Sequence, residues 1–131
     1  MNREYNGGQW TVSRYHSFIT SLLRSGSRRW PPKYEVLNAA KVGKKVNEET
    51  GRVAEHYKCA GCGQEFPAKK VQVDHIDPFI PLTGFTTWDD VIHRLFCEKD
   101  NLQVLCITCH NKKSAAEKAE RTLHNKNKKG S

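Results

Sequence analysis

The chain of 131 residues contains no apolar stretch near the roughly 18 residues that a membrane helix requires, and its start, Met1-Asn2-Arg3-Glu4-Tyr5, has none of the apolar run of a signal peptide. A cytoplasmic protein without membrane contact is the default expectation. No internal repeat is present, which excludes solenoid and propeller architectures. Apolar residues are also scarce at 37% against 27% charged, so one domain of this length has a lean core and calls for an extra staple. Disulfides are a poor candidate for it. The five cysteines are odd in number, and four of them fall into C-x-x-C pairs, which is ligand spacing.

Acidic residues are sparse at both ends. Residues 1–50 carry nine Lys/Arg against four Asp/Glu and residues 112–131 carry seven against two, whereas the segment between them has six against eight. Two basic arms around an acidic centre suit a protein that grips a polyanion with its ends and binds cations in its middle. A solvated basic surface has the same composition, so charge alone does not decide between them.

Apolar residues Tyr15, Phe18, Ile19, Leu22 and Leu23 recur at helical spacing and predict an amphipathic helix over 13–24, capped by Ser13 and stopped near Gly26. Arg28-Arg29-Trp30-Pro31-Pro32 breaks it, and a second helix is expected over roughly 33–43. Residues 1–12 read as loose, and 47–51 as a polar turn. Strands are expected at 56–58, 71–76 and 101–106, with a helix capped by Thr87 between the last two and another over 107–120. Asn125 to Ser131 has the composition of a disordered tail. The resulting organisation is a basic helical arm (1–50), a central domain (51–122) and a tail (123–131).

Cys59-Ala-Gly-Cys62 and Cys106-Ile-Thr-Cys109 are separated by 43 residues. Two thiolates on one tight turn share a tetrahedral ion, and two such turns close a four-sulfur structural Zn²⁺ site. The alternatives are a redox C-x-x-C or buried thiols, and both require the second pair to be coincidental. Because pairs in a zinc ribbon are commonly closer, the long gap implies an insertion within the ribbon. Cys97 stands alone on the apolar side of a helix and reads as core.

The gap holds Val73-Asp74-His75-Ile76 and Asp100-Asn101-Leu102-Gln103-Val104-Leu105, and Cys109 runs directly into His110-Asn111-Lys112. Over about residues 55–120 this arrangement resembles the HNH endonucleases, whose motif reads Asp-His or His-His, then Asn, then His. It is most similar to the subgroup in which one C-x-x-C precedes Asp-His and another precedes the last His. Residues 13–45, with Arg28-Arg29-Trp30-Pro31-Pro32-Lys33, also look like the leader of small HNH proteins of tailed bacteriophages. The resemblance implies an α+β fold with a small ββα-metal core and N-terminal helices added to it. It implies His75 as general base, Asp74 and His110 as ligands of a catalytic divalent ion, and Asn101 as a loop tether that touches the metal in some members. A bacterial cell under phage infection is the setting it suggests.

Residue chemistry agrees. Phosphodiester hydrolysis needs a water deprotonated near neutral pH, which a neutral histidine does, and a hard cation to stabilise charge on the phosphate and the leaving oxygen. Two features depart from a simple match. Neighbouring strand residues point to opposite faces, so Asp74 and His75 face one site only if the strand bends or ends there, and Asp77-Pro78 favours that. Ser114 stands where some members have a second helical histidine, which leaves more of the shell to water and favours Mg²⁺ or Mn²⁺. His56 reads as strand surface, His93 as helix surface and His124 as tail.

DNA is the expected partner, held through phosphates by Arg24, Arg28, Arg29, Lys33, Lys112, Lys113, Lys118 and Arg121. Trp30 suits either stacking beside a sugar or core packing. The competing functions are a catalytically silent, zinc-stabilised nucleic-acid-binding protein and an accessory of phage packaging. The set Asp74, His75, Asn101 and His110 opposes the first, since binding alone needs no paired base and ligand. The basic arms oppose the second. Among nuclease roles, homing, packaging, restriction and toxin, the leader favours homing. A monomer and a homodimer are both compatible with the sequence.

Overall fold

A computed structural model describes residues 4–130 and shows an α+β fold in which two small antiparallel sheets are packed against helices. Helix α1 (Val12–Ser27) begins one residue earlier than the apolar pattern suggests, because Thr11 rather than Ser13 caps it and accepts the Arg14 N–H at 3.2 Å. Within the segment expected to be loose, residues 5–10 are ordered by a turn, and residues 1–3 lie outside the described residues. Tyr5 and Trp10 pair across a turn in which Asn6, Gly7 and Gly8 all have positive φ, and the Tyr5 ring stacks on Tyr15 of α1.

Helix α2 (Pro31–Ala39) starts at the prolines expected to precede it. A proline lacks an N–H, and the first turn of a helix needs none, so Pro31-Pro32 that end one helix open the next. The expected continuation to residue 43 fails because Lys41–Val46 is strand β1, paired antiparallel with β2 (Val53–Lys58). Gly43, at φ 116°, absorbs a bulge in that pairing. The hairpin therefore joins the last residues of the supposed arm to the central domain. Strand β3 (Glu65–Pro67) completes this sheet on the other side of β2.

The second sheet contains only β4 (Val71–His75) and β5 (Leu102–Cys106), in a register that pairs Val71 with Cys106, Asp74 with Gln103 and His75 with Leu102. Helix α3 (Trp88–Leu95), capped by Thr87, lies in the connection between them. Helix α4 (Ile107–Gly130) follows β5 without a break and continues through the segment whose composition suggested a disordered tail; Ser131 lies outside the described residues. A run of residues with good helix propensity, Ala115 to Leu123, carries the helix outward from the core.

The core is small, as the composition implied. It contains Val91 and Leu95 of α3, Leu102, Val104, Leu105 and Cys106 of β5, and Tyr57 and Cys59 from β2 and its end. Trp30 packs here, with its Nε1–H donating to the Cys97 carbonyl at 2.6 Å and its ring edge-on to Phe96, which settles its role in favour of packing. His56 corrects the surface reading: it is buried, with Nδ1 2.9 Å from the Ala54 carbonyl. His93 is exposed, and His124 lies 3.3 Å from Glu120 on α4.

Candidate active site and metal centre

The sulfurs of Cys59, Cys62, Cys106 and Cys109 lie within 4.8 Å of one another. The first pair sits on the turn after β2 and the second where β5 becomes α4, so the ribbon's two halves meet although 43 residues separate them in sequence. Gly61 makes the approach possible. A Cβ there would stand 3.1 Å from Cys109 Sγ and 3.2 Å from its Cβ, so the Cys109 side chain would have to give way by a few tenths of an ångström. Backbone amides of Cys106, Gly61 and Cys62 approach Cys59 Sγ at 3.2 to 3.5 Å, and the Cys109 amide approaches Cys106 Sγ at 3.4 Å.

Burial of Cys59 opposes ionisation, but the amides of Cys106, Cys62 and Gly61 outweigh it and bring the thiol down to about 6. Cys109 goes the other way, to about 12, because hydrogen bonds with Cys106 and Cys59 hold its proton. Four thiols this close cannot all ionise without a cation among them. The donor set therefore fits a tetrahedral Zn²⁺, with all four sulfurs as ligands and the amides as their outer support.

The second cluster lies in a cleft of about 810 Å³ between α1 and the β4–β5–α4 unit. Asp74, His75 and His110 all line it. His75 Nε2 is 2.9 Å from the Leu95 carbonyl. A carbonyl only accepts, so Nε2 carries the proton and Nδ1 keeps its lone pair. Burial lowers the His75 pKa first of all; the Leu95 carbonyl pulls it back up, and Lys33 lowers it further. The ring is thus neutral at pH 7, the state that a base requires.

His110 Nδ1 is buried, has no hydrogen-bond partner, and lies 3.4 Å from Asp74 Oδ1. A buried nitrogen without a hydrogen bond and the carboxylate oxygen beside it form a pair of donor atoms that a cation between them would satisfy. These residues therefore fit a divalent ion. Ser114 Oγ lies 3.4 Å from His110 Nε2 and is placed to accept a proton carried there, the tautomer that leaves the Nδ1 lone pair open to a cation. The serine in place of a second histidine thus acts on the orientation of the first.

Asn101 ties the loop after β4. Its side-chain carbonyl accepts the Asp77 N–H at 2.8 Å, its amide donates to the Asp77 carbonyl at 3.2 Å, and its backbone carbonyl accepts the Ile76 N–H at 2.8 Å. The eight basic residues expected at phosphates divide into three sets. Arg24, Arg28 and Lys33 line the cleft from the side of α1 and α2, opposite the Asp74, His75 and His110 cluster. Arg29, Lys112 and Lys118 are exposed and do not line it. Lys113 and Arg121 line the cleft and are engaged within the protein. Arg121 donates to the carbonyls of Ile80 (2.7 Å) and Pro81 (3.2 Å), and Lys113 bonds Glu117 and the His75 carbonyl.

Gln103 and Glu117 escaped the sequence reading. Gln103 Nε2 donates to Asp74 Oδ2 at 3.2 Å because the register sets the two residues opposite each other, and no local pattern announces that. Glu117 was within reach, since it is four residues after Lys113 on a helix.

Residues 59–116 match the family model described as HNH endonuclease. Over 61 residues the chain is 41% identical to a protein of Lactococcus phage SK1 named "Probable HNH endonuclease", an alignment that covers 46% of this chain and 56% of that relative. The chain thus spans little more than half the length of the curated relative it matches. No solved structure matches significantly.

Proposed function

We propose, from the premise that residues 59–116 form an HNH endonuclease core, that this chain is a metal-dependent endonuclease hydrolysing DNA phosphodiester bonds. The observation that carries the reading is the buried, partnerless Nδ1 of His110 beside Asp74 Oδ1, in the same cleft as a neutral His75. A binding protein gains nothing from an unsatisfied buried nitrogen, whereas a nuclease needs a cation site next to a base.

Asp74 and His110 would hold the ion, Mg²⁺ or Mn²⁺, which when bound stabilises negative charge on the phosphate and the leaving oxygen. His75 Nδ1 takes the proton of the attacking water, and the Leu95 carbonyl fixes the tautomer that frees it. Asn101 holds the loop that begins at Ile76, so the imidazole keeps its aim. Arg24, Arg28 and Lys33 face this cluster across the cleft and would bind phosphates flanking the one that is cut. Arg29, Lys112 and Lys118 extend the contact outward.

The phage-like leader and the similarity to a protein of Lactococcus phage SK1 support a phage-encoded, homing-like role in the cytoplasm of an infected cell. Among the described residues no helix is long and apolar enough to cross a membrane. One such site cuts one strand, so a monomer nicks, and double-strand cleavage takes a homodimer or two successive nicks.

Incubation of supercoiled plasmid with the protein and Mg²⁺, Mn²⁺ or EDTA tests the reading. Nicked circles should form with either metal and not with EDTA, and His110→Ala should lose activity in Mg²⁺ with partial recovery at high Mn²⁺. Intact plasmid under all metals, with DNA binding retained, would leave the silent nucleic-acid-binding protein as the better account.

A further inference from the structure

Asp74 and His75 are consecutive in β4 and both line the cleft, His75 being the last residue of the strand, where its pairing with β5 stops. Bonds from two sides act on the strand end. Asn101 takes the Ile76 and Asp77 amides on one side. On the other, Lys113 Nζ donates to the His75 carbonyl at 2.9 Å, and the same ammonium lies 3.2 Å from Asp74 Oδ2 and 2.8 Å from Glu117 Oε2. An ammonium has three donors, and here each has an acceptor.

This arrangement divides the two oxygens of Asp74. Oδ2 faces both Lys113 and the Gln103 amide, whereas Oδ1 faces the partnerless His110 nitrogen. A carboxylate so engaged offers a cation one oxygen rather than two. The ammonium also opposes any dication placed next to it, because like charges at short range repel.

We propose that Lys113 is a positioning residue that confines Asp74 to one-oxygen ligation and fixes the His75 backbone at the strand end, giving the cleft a correctly aimed base together with a loosely held metal ion. The inference rests on the nuclease reading above. It makes Lys113 act through Asp74 and His75 rather than on DNA, and it predicts effects of opposite sign on metal affinity and on rate. A merely structural lysine would move both downward.

The test uses the zinc-loaded chain of 131 residues, with Mn²⁺ affinity measured by electron paramagnetic resonance without DNA and nicking measured under single turnover. Lys113→Met should bind Mn²⁺ about fivefold more tightly, the size of a partly exposed ion pair. It should also nick about tenfold or more slowly at saturating metal, as a misplaced base does. Lys113→Arg keeps the charge but not the point geometry of the ammonium, so it should bind Mn²⁺ like the wild type and nick at an intermediate rate. If Lys113→Met does not fold, the arginine variant decides alone: slowed nicking at unchanged affinity supports the proposal, and wild-type behaviour in both overturns it. A folded Lys113→Met that matches the wild type in both measurements, or loses affinity and rate together, also overturns it while the nuclease reading stands. Absence of any Mn²⁺ site lost in Asp74→Asn would instead remove the nuclease reading and this inference together.

Discussion

The two clusters differ in how much each depends on the rest of the chain. In the cysteine site each pair is local, two cysteines with two residues between them on a turn, and three of the four amides that support the sulfurs belong to the same turn as the sulfur, the Cys106 amide on Cys59 being the one that crosses. In the cleft the key contacts come from distant segments: His75 depends on Leu95, the loop after it on Asn101, and Asp74 on Gln103 and Lys113, with α1 and α2 as the opposite wall. The first site is a staple that a small core needs. The second is an assembly that the staple makes possible, since Cys106 and Cys109 fix the junction of β5 and α4 just before His110. Dependence should therefore run one way, and mutations can test it.

The largest effect should follow loss of the staple. A structural Zn²⁺ contributes about 10–16 kcal/mol of apparent binding energy in small zinc domains, comparable to or above the whole stability of a domain. Cys59→Ser or Cys106→Ser should thus leave the chain zinc-free and largely unfolded, as read by elemental analysis and circular dichroism. A folded, active Cys59→Ser protein would break the asymmetry between the two sites.

Next in size is the proposed base. His75→Ala should lower nicking by about 10²–10⁴, retain its zinc, and lose about 1 kcal/mol of stability from the unpaired Leu95 carbonyl. The wild-type pH profile sharpens the same point. Burial, with Lys33 adding to it, keeps the His75 pKa below 6.5, so the base is neutral at pH 7 and activity should fall only as pH drops through that lowered value. Stability has the same sign: a group with a depressed folded pKa contributes above its unfolded pKa and loses that contribution as pH falls through the folded one. An acidic limb centred above pH 7 would contradict the assignment.

Asn101→Ala should give a smaller loss, about tenfold in rate from a loosened loop, with about 1–3 kcal/mol of stability from the two hydrogen bonds to Asp77. Asn101→Asp, which still accepts from the Asp77 amide but does not donate, should fall between the two in thermal melts. Equal melting temperatures for all three would mean that the loop is held by other contacts. The smallest effect should come from the exposed arm. Arg28→Ala with Arg29→Ala removes up to two phosphate contacts, which lowers the slope of log affinity against log salt by about 2 at most. An unchanged slope in gel-shift titrations would put the DNA elsewhere.

The same contrast explains what was legible. Ligand spacing, helix periodicity and the Thr87 cap are local signals, and they led to the cysteine cluster, to α1 and α3, and to the β4–β5–α4 order. Strand β1 was missed because Lys41-Val42-Gly43-Lys44-Lys45-Val46 is exposed throughout and has no buried face to imprint on the sequence. The internal partners of Lys113 and Arg121 were not legible for a related reason: the charge of a side chain is visible in one dimension, but its acceptors are not.

What the sequence determined by itself, then, is the chemistry available: four thiols in two turns, a carboxylate, two imidazoles and an amide in a fixed order, and basic residues at both ends. Tertiary structure decided how each group is presented. It chose the proton-bearing nitrogen of His75 by setting it against the Leu95 carbonyl, and it left His110 Nδ1 without a partner next to Asp74 Oδ1. It also turned Lys113 inward and Arg24, Arg28 and Lys33 toward the cleft. The physical reason is that residue type sets which protons and lone pairs exist, while hydrogen-bond direction and burial, which set their availability, arise only when segments remote in the chain are packed together.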